Sequence, residues 1–177
     1  MILESTIVIV GALGSVQTLL EVFGLPVLFA VFVLKGALIG KPLPTSVFLP
    51  GYVIAVEATY WFAAVVVLVV TVAHVIGQFV VYVGCRRYGP SFLERLPSLE
   101  YDPDSDRVNR LERWFDRYGG VSVFVTNVVP WTRGVSAIPA GTAGYPFGRY
   151  TVHVVTSTLL YHGLYVALAL AGLAVVT

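Results

Sequence analysis

The chain has 177 residues, 57% hydrophobic and 12% charged, with 11 Lys+Arg against 10 Asp+Glu and a net charge of +1. An average soluble protein is about 25% charged, and a mean hydropathy of +0.84 is more apolar surface than a soluble domain of this size can hide, so the composition excludes that class and predicts a single-domain integral membrane protein. No basic cluster free of acids exists to mark a nucleic-acid partner, and the single Cys85 excludes an internal disulfide and offers no metal motif.

Residues 1–41 read as N-terminal helices. The opening MILESTIVIVGALGS has no positive start and carries Glu4, so it is predicted to be retained rather than cleaved as a signal. Residues 5–20 are uncharged but hold Gly11, Gly14, Ser15 and Gln17, and suit either an interfacial helix or a tilted crossing. Glu21 and Lys35 bracket 13 uncharged residues, a predicted crossing when extended to Gly40. Lys35 would then snorkel or face the protein interior. Residues 42–57, cut by Pro42, Pro44, Pro50 and Gly51, are too short and broken to span and predict a re-entrant hairpin turning near Pro50-Gly51. Residues 58–85, a charge-free run of 28, are predicted to cross fully.

The loop 86–117 holds seven of the 11 Lys+Arg residues, which assigns it to the cytoplasm. Asp104 or Ser105 can cap a short amphipathic helix there. Val108, Leu111, Phe115 and Tyr118 are predicted on one face with Trp114 beside them, which suits a helix on the membrane surface. Residues 118–148 repeat the broken pattern, with Gly119, Gly120, Pro130, Pro139 and Gly141. Arg133 sits between two uncharged runs of 15 residues, which predicts a second re-entrant hairpin with its tip near Pro130–Arg133. Residues 149–177 then cross, with residues 150–177 again free of charge. The expected fold is an all-α polytopic membrane protein, an inverted repeat of re-entrant hairpin plus transmembrane helix offset by about 90 residues.

Four stretches in order now carry a resemblance. They are PLPTSVFLPG at 42–51, GQFVVYVGCRRYG at 77–89, RYGG at 117–120, and NVVPWTR at 127–133 followed by IPAG at 138–141. This series resembles the DedA family, also described as the SNARE-associated or VTT domain, over roughly residues 24–172. The resemblance implies two opposed re-entrant hairpins. It also implies movement of phospholipids or polyprenyl-phosphate carriers between leaflets as a flippase or scramblase, proton-coupled in some relatives. Asn127 stands at the family's first signature arginine, while Arg133 keeps the second. Gln78 stands at the acid of the Gly–acid pair, Ser46 where many relatives have Glu, and Tyr52 and Gly40 where some carry acids.

Arg133 is the leading candidate. An ionisable residue inside a membrane is a functional-site hypothesis by default, and a guanidinium grips a phosphate bidentately. Helix N-termini after Pro130 and Pro139 would add N–H donors. Asn127, Thr132, Ser46 and Thr45 complete the candidate substrate-binding set, the hydroxyls also being suited to satisfying backbone freed by proline. His74 and His162 lie near the middles of the two long helices, 88 residues apart; with Glu57 they form the candidate proton relay. Pro44, Pro50, Gly51, Gly77, Tyr82, Gly84, Gly89, Pro130, Pro139 and Gly141 are expected to shape hairpins, turns and close helix contacts. Tyr161 is expected only to pack.

An enzyme is the first rival. Ser136 and His162 exist, but no nucleophile motif surrounds the serine, and the three histidines lack a phosphatase setting, so no catalysis is expected. A proton-coupled small-solute transporter and a structural or membrane-remodelling module are the alternatives to lipid transport. No cofactor or metal is expected. The expected partners are membrane lipids with an anionic phosphate headgroup, in a multi-pass plasma-membrane protein open to homo-oligomer formation.

Overall fold

The two charge-free runs become the two longest helices. The computed structural model describes residues 24–39, 45–95, 106–129 and 132–176, and regular structure among them is helical throughout. The elements are α1 Leu25–Gly36, α2 Thr45–Ala55, α3 Tyr60–Tyr88, a 3-10 helix Gly89–Arg95, α4 Asp106–Tyr118, α5 Gly120–Val128, α6 Ala137–Thr142 and α7 Phe147–Val176. The readings of residues 1–20, Pro44, the caps Asp104 and Ser105, Pro130 and Trp131 lie outside the described residues.

α3 has 29 residues and α7 has 30, so each is more than about 40 Å long at 1.5 Å per residue. Both are long and apolar enough to cross a membrane. Local chemistry sets the ends of α3. Thr59 accepts a hydrogen bond from the Phe62 N–H at 3.3 Å, and Gly89 closes the far end at φ 66° with its N–H on the Cys85 carbonyl. Arg86 and Arg87 in the last turn complement the helix dipole.

The short helices come in pairs ahead of the long ones. α1 has 12 residues and α2 has 11, each under about 20 Å against a hydrocarbon core of about 30 Å. Of the predicted crossing from Glu21 to Gly40, the described helix is Leu25–Gly36, bounded by Gly24 at φ 57° and by Ala37, and it falls short of spanning by itself. Pro50 and Gly51 do not form a turn. They lie inside α2, where Pro50, sixth of its 11 residues, removes a backbone hydrogen bond to the Ser46 carbonyl and weakens the helix without ending it. In the second pair, Gly119 at φ 52° precedes α5, Arg133 lies in the turn before α6, and Pro139 sits in the first turn of α6.

Packing between the two halves is reciprocal. α1 lies on α3 and α5 on α7, within each half; α2 lies on α7 and α6 on α3, across the halves. α3 and α7 run antiparallel. Tyr82 stacks on Tyr150 at 4.5 Å, whereas His74, earlier in α3, meets His162, later in α7, at 5.6 Å. Glycine makes the closest crossings. A Cβ on Gly77 would overlap the Val33 carbonyl, and one on Gly36 the His74 carbonyl, so α1 and α3 touch backbone to backbone. Gly141 brings α6 equally close to the Tyr82 carbonyl, and Gly84 leaves room for the Phe92 ring.

Two apolar clusters fill the interior. One joins Leu28, Phe32, Leu49, Val53, Val66, Val70 and Val166. The other joins Val81, Tyr82, Leu93, Phe115, Val123, Ile138, Tyr150 and Val154. Between them along both α3 and α7 lies a layer of buried polar side chains.

Candidate functional site

The polar layer is built from four elements. α3 contributes Thr71, His74 and Gln78, which follow each other at spacings of three and four and so share a face. α7 contributes Ser157, Thr158, Tyr161 and His162; α5 contributes Asn127; the turn before α6 contributes Arg133 and Ser136. All are buried, His74 to 2% exposure, His162 to 1% and Arg133 to 9%. His74 and His162 fall at the middles of their helices, so the layer sits midway along both.

Arg133 is held from two sides. Its Nε donates to His74 Nε2 at 3.2 Å, and its guanidinium carbon lies 3.9 Å from the centroid of the Tyr161 ring, a cation–π contact. Since His74 Nε2 accepts this bond, its ring proton belongs on Nδ1 and the imidazole is neutral. Neither partner carries a negative charge. The Nη1 and Nη2 groups of Arg133 are buried with no hydrogen-bond partner among the described residues. Lys35, at the end of α1, is near enough for its charge to act on Arg133 and His74. A buried guanidinium without a counter-charge costs several kcal/mol, and an oxyanion received by the two free Nη groups would offset that cost.

The histidines predicted as a pair are brought together. Their rings meet edge to face at 5.6 Å, and Phe32 packs on His162 at 5.1 Å and on His74 at 6.3 Å. His162 Nδ1 shares a hydrogen bond with the Thr71 hydroxyl at 3.3 Å, while His74 Nδ1 and His162 Nε2 have no partner. Glu57 is not part of this group. It is exposed in the turn before α3, at φ 47°, and the 14 residues of helix from Tyr60 to His74 separate the two by about 20 Å.

Asn127 and Thr132 have other employment. Asn127 Nδ2 donates to Gln78 Oε1 at 3.2 Å, and its Oδ1 accepts the Gly134 N–H at 3.1 Å. Thr132 Oγ1 donates to the Thr126 carbonyl at 3.0 Å. Both side chains fix the turn that presents Arg133. Thr45 and Ser46 open α2, and their side chains lie outside the described residues. Tyr161 and Lys35 were not singled out as site residues from sequence. The adjacency of Tyr161 to His162 was the available signal for the tyrosine.

A hydrolytic centre would pair a nucleophile with a base. The Ser136 hydroxyl has no hydrogen-bond partner, and the Nδ1 of His162 is engaged by Thr71. Among the described residues, no group of three His, Cys, Asp or Glu side chains is placed to hold a metal ion.

Residues 43–170 match the family model described as the VTT domain. Three curated relatives are similar. Undecaprenyl phosphate transporter A of Bacillus subtilis (strain 168) is 28% identical over 120 residues, 68% of this chain and 59% of that protein. An alkaline phosphatase-like protein of Lactococcus lactis subsp. cremoris (strain MG1363) is 25% identical over 111 residues, 59% of this chain and 51% of that protein. A protein of the same description from Lactococcus lactis subsp. lactis (strain IL1403) gives the same 25% identity and coverage. The matched segment thus spans between half and three-fifths of each of these relatives. No solved structure gives a significant match.

Proposed function

The chain belongs to the VTT-domain (DedA) family, and on that premise we propose that it moves a phosphate-bearing lipid, either a phospholipid or a polyprenyl-phosphate carrier, between the leaflets of the plasma membrane. The observation that carries this reading is Arg133, whose two Nη groups are buried at the middle of the molecule without a hydrogen-bond partner or counter-charge among the described residues. A phosphate held there would satisfy both, and the name of the Bacillus subtilis relative supplies a lipid of that kind. Two of the relatives are named phosphatase-like. The Ser136 hydroxyl makes no hydrogen bond to a histidine, and the lack of a nucleophile–base pair there favours binding over hydrolysis.

In this account α1–α2 and α5–α6 are two re-entrant hairpins that enter from opposite sides, each leading into a crossing helix. Their sub-span lengths and reciprocal packing support the inverted repeat. The arginine-rich loop 86–117 faces the cytoplasm. Alternate exposure of the mid-depth layer carries the phosphate across. The His74–His162 pair holds a coupling proton, since its two unpartnered nitrogens offer one site to give a proton and one to take it.

Binding tests the site directly. A short-chain prenyl phosphate added to the detergent-purified protein should raise its melting temperature, and Arg133→Gln should abolish that rise while still melting cooperatively. A rise undiminished in Arg133→Gln would place the phosphate elsewhere and defeat the proposal.

A further inference from the structure

Three apolar stripes run along the outside of the molecule, and all three stop at arginine. On α3 the exposed stripe from Leu68 to Val83 ends at Arg87. On α5 the stripe from Val129 through Val125 to Val121 crosses Gly119 and ends at Tyr118 and Arg117 of α4. On α7 the stripe from Leu168 to Val152 ends at Arg149.

These endpoints lie at one end of the molecule. Arg86 Nη1 donates to the Tyr82 hydroxyl at 2.6 Å and to the Tyr145 carbonyl at 3.3 Å, and the Tyr145 ring meets Phe115 of α4 at 5.4 Å. Six exposed arginines gather there, at 86, 87, 110, 113, 117 and 149, together with the exposed Asp116. The opposite end presents Glu57 with Tyr60 and Trp61, 78% and 81% exposed.

α4 concentrates this chemistry. Phe115 is 5% exposed and points inward, while Trp114 and Tyr118 are 44% and 46% exposed. The sequence pattern puts Phe115 and Tyr118 on one face, toward the membrane surface; the structure buries Phe115 and leaves Tyr118 exposed. The Trp114 and Tyr118 rings meet edge to face at 5.5 Å, and the Arg117 guanidinium lies 5.4 Å from the Tyr118 ring. Arg110 and Arg117 stand four residues before and three after Trp114, beside it on the helix. Aromatic rings where an apolar stripe ends, with guanidinium groups just above, match the layering of a lipid leaflet from hydrocarbon to phosphate.

We propose that the outer face of α4, Arg110, Arg113 and Arg117 around Trp114 and Tyr118, binds the headgroups of anionic phospholipids in the leaflet at that end, at a surface separate from Arg133. Charge complementarity names the occupant: an arginine cluster seated at the edge of hydrocarbon meets lipid phosphates before any other anion. Each arginine at such a surface is worth roughly a fivefold preference for an anionic over a zwitterionic lipid.

The test uses Trp114 as the reporter, with Trp61 and Trp131 replaced by phenylalanine in the full chain. The protein is reconstituted in vesicles carrying brominated phosphatidylglycerol or, at equal mole fraction, brominated phosphatidylcholine. Trp114 fluorescence should be quenched several-fold more effectively by the anionic lipid. Arg110→Gln/Arg113→Gln/Arg117→Gln should bring the two lipids to parity, and the matching triple lysine variant should keep the preference. Equal quenching by both lipids in the arginine protein, no quenching by either, or a preference surviving the triple glutamine variant would each overturn the proposal. Phosphate binding at Arg133 is read separately, so its failure would leave this result standing.

Discussion

Asn127 and Gln78 stand at the two positions where the family resemblance expects an arginine and an acid, and the two side chains are in contact. Their amides share a buried hydrogen bond of 3.2 Å, and Asn127 also accepts the Gly134 N–H, one residue from Arg133. A charged pair would carry a desolvation cost that an amide pair does not. Removing one amide strands the other, together with a backbone N–H, at a cost of about 1–3 kcal/mol. Asn127→Ala is therefore expected to destabilise the protein by that amount, and Gln78→Ala added to it should cost clearly less than Gln78→Ala alone. Urea unfolding of the four proteins in detergent measures the coupling; strict additivity would show that the pair does not act as a unit. The residue scale was only partly legible in sequence. Arg133 stood out because charge between long apolar runs is rare, and the two histidines because their separation of 88 residues is close to the repeat offset. Tyr161 did not stand out, because a tyrosine that stacks on a cation and one that fills a gap look identical in a string.

At the scale of elements, the long helices followed from the absence of charge, and the structure adds what composition cannot see. The run that opens the chain's described part looked long enough to cross, but α1, bounded by Gly24 and Ala37, has 12 residues. Pro50 looked like a turn, yet it lies in the middle of α2, which continues past it to Ala55. Glycines that looked alike also differ. Gly77 has α1 backbone where its side chain would be, whereas Gly51 has nothing within 4 Å. Gly77→Ala should force α1 away from α3 and lower stability by about 1–3 kcal/mol, while Gly51→Ala, in a helix with open space, should be neutral or slightly stabilising. Thermal melts of the two variants decide this, and equal effects would contradict the close α1–α3 crossing.

In the whole molecule the short helices before each long helix pack on both long helices, around one polar layer with apolar clusters above and below. The repeat offset was readable from the spacing of broken and unbroken segments. The exchange, in which α2 reaches α7 and α6 reaches α3, was not, because tertiary pairing leaves no trace in one sequence. This arrangement predicts opposite exposure of its two ends. With the buried Cys85 replaced by alanine, a membrane-impermeant maleimide should label Glu57→Cys only from outside the cell and Arg113→Cys only from within. Labelling of both from one side would contradict the assigned orientation.

The central claim is that Arg133 holds a lipid phosphate at mid-depth during transfer between leaflets. The most direct measurement is the loss of a fluorescent reporter from the outer leaflet of liposomes containing the purified protein, with phospholipid and polyprenyl-phosphate probes compared. The account predicts rapid loss of at least one probe with the native chain, a fall of about tenfold or more with Arg133→Lys, which keeps charge but not the bidentate fork, and no loss above protein-free liposomes with Arg133→Ala. Exchange at the native rate in folded Arg133→Ala, or no exchange of either probe by the native chain with and without a pH gradient, would contradict it.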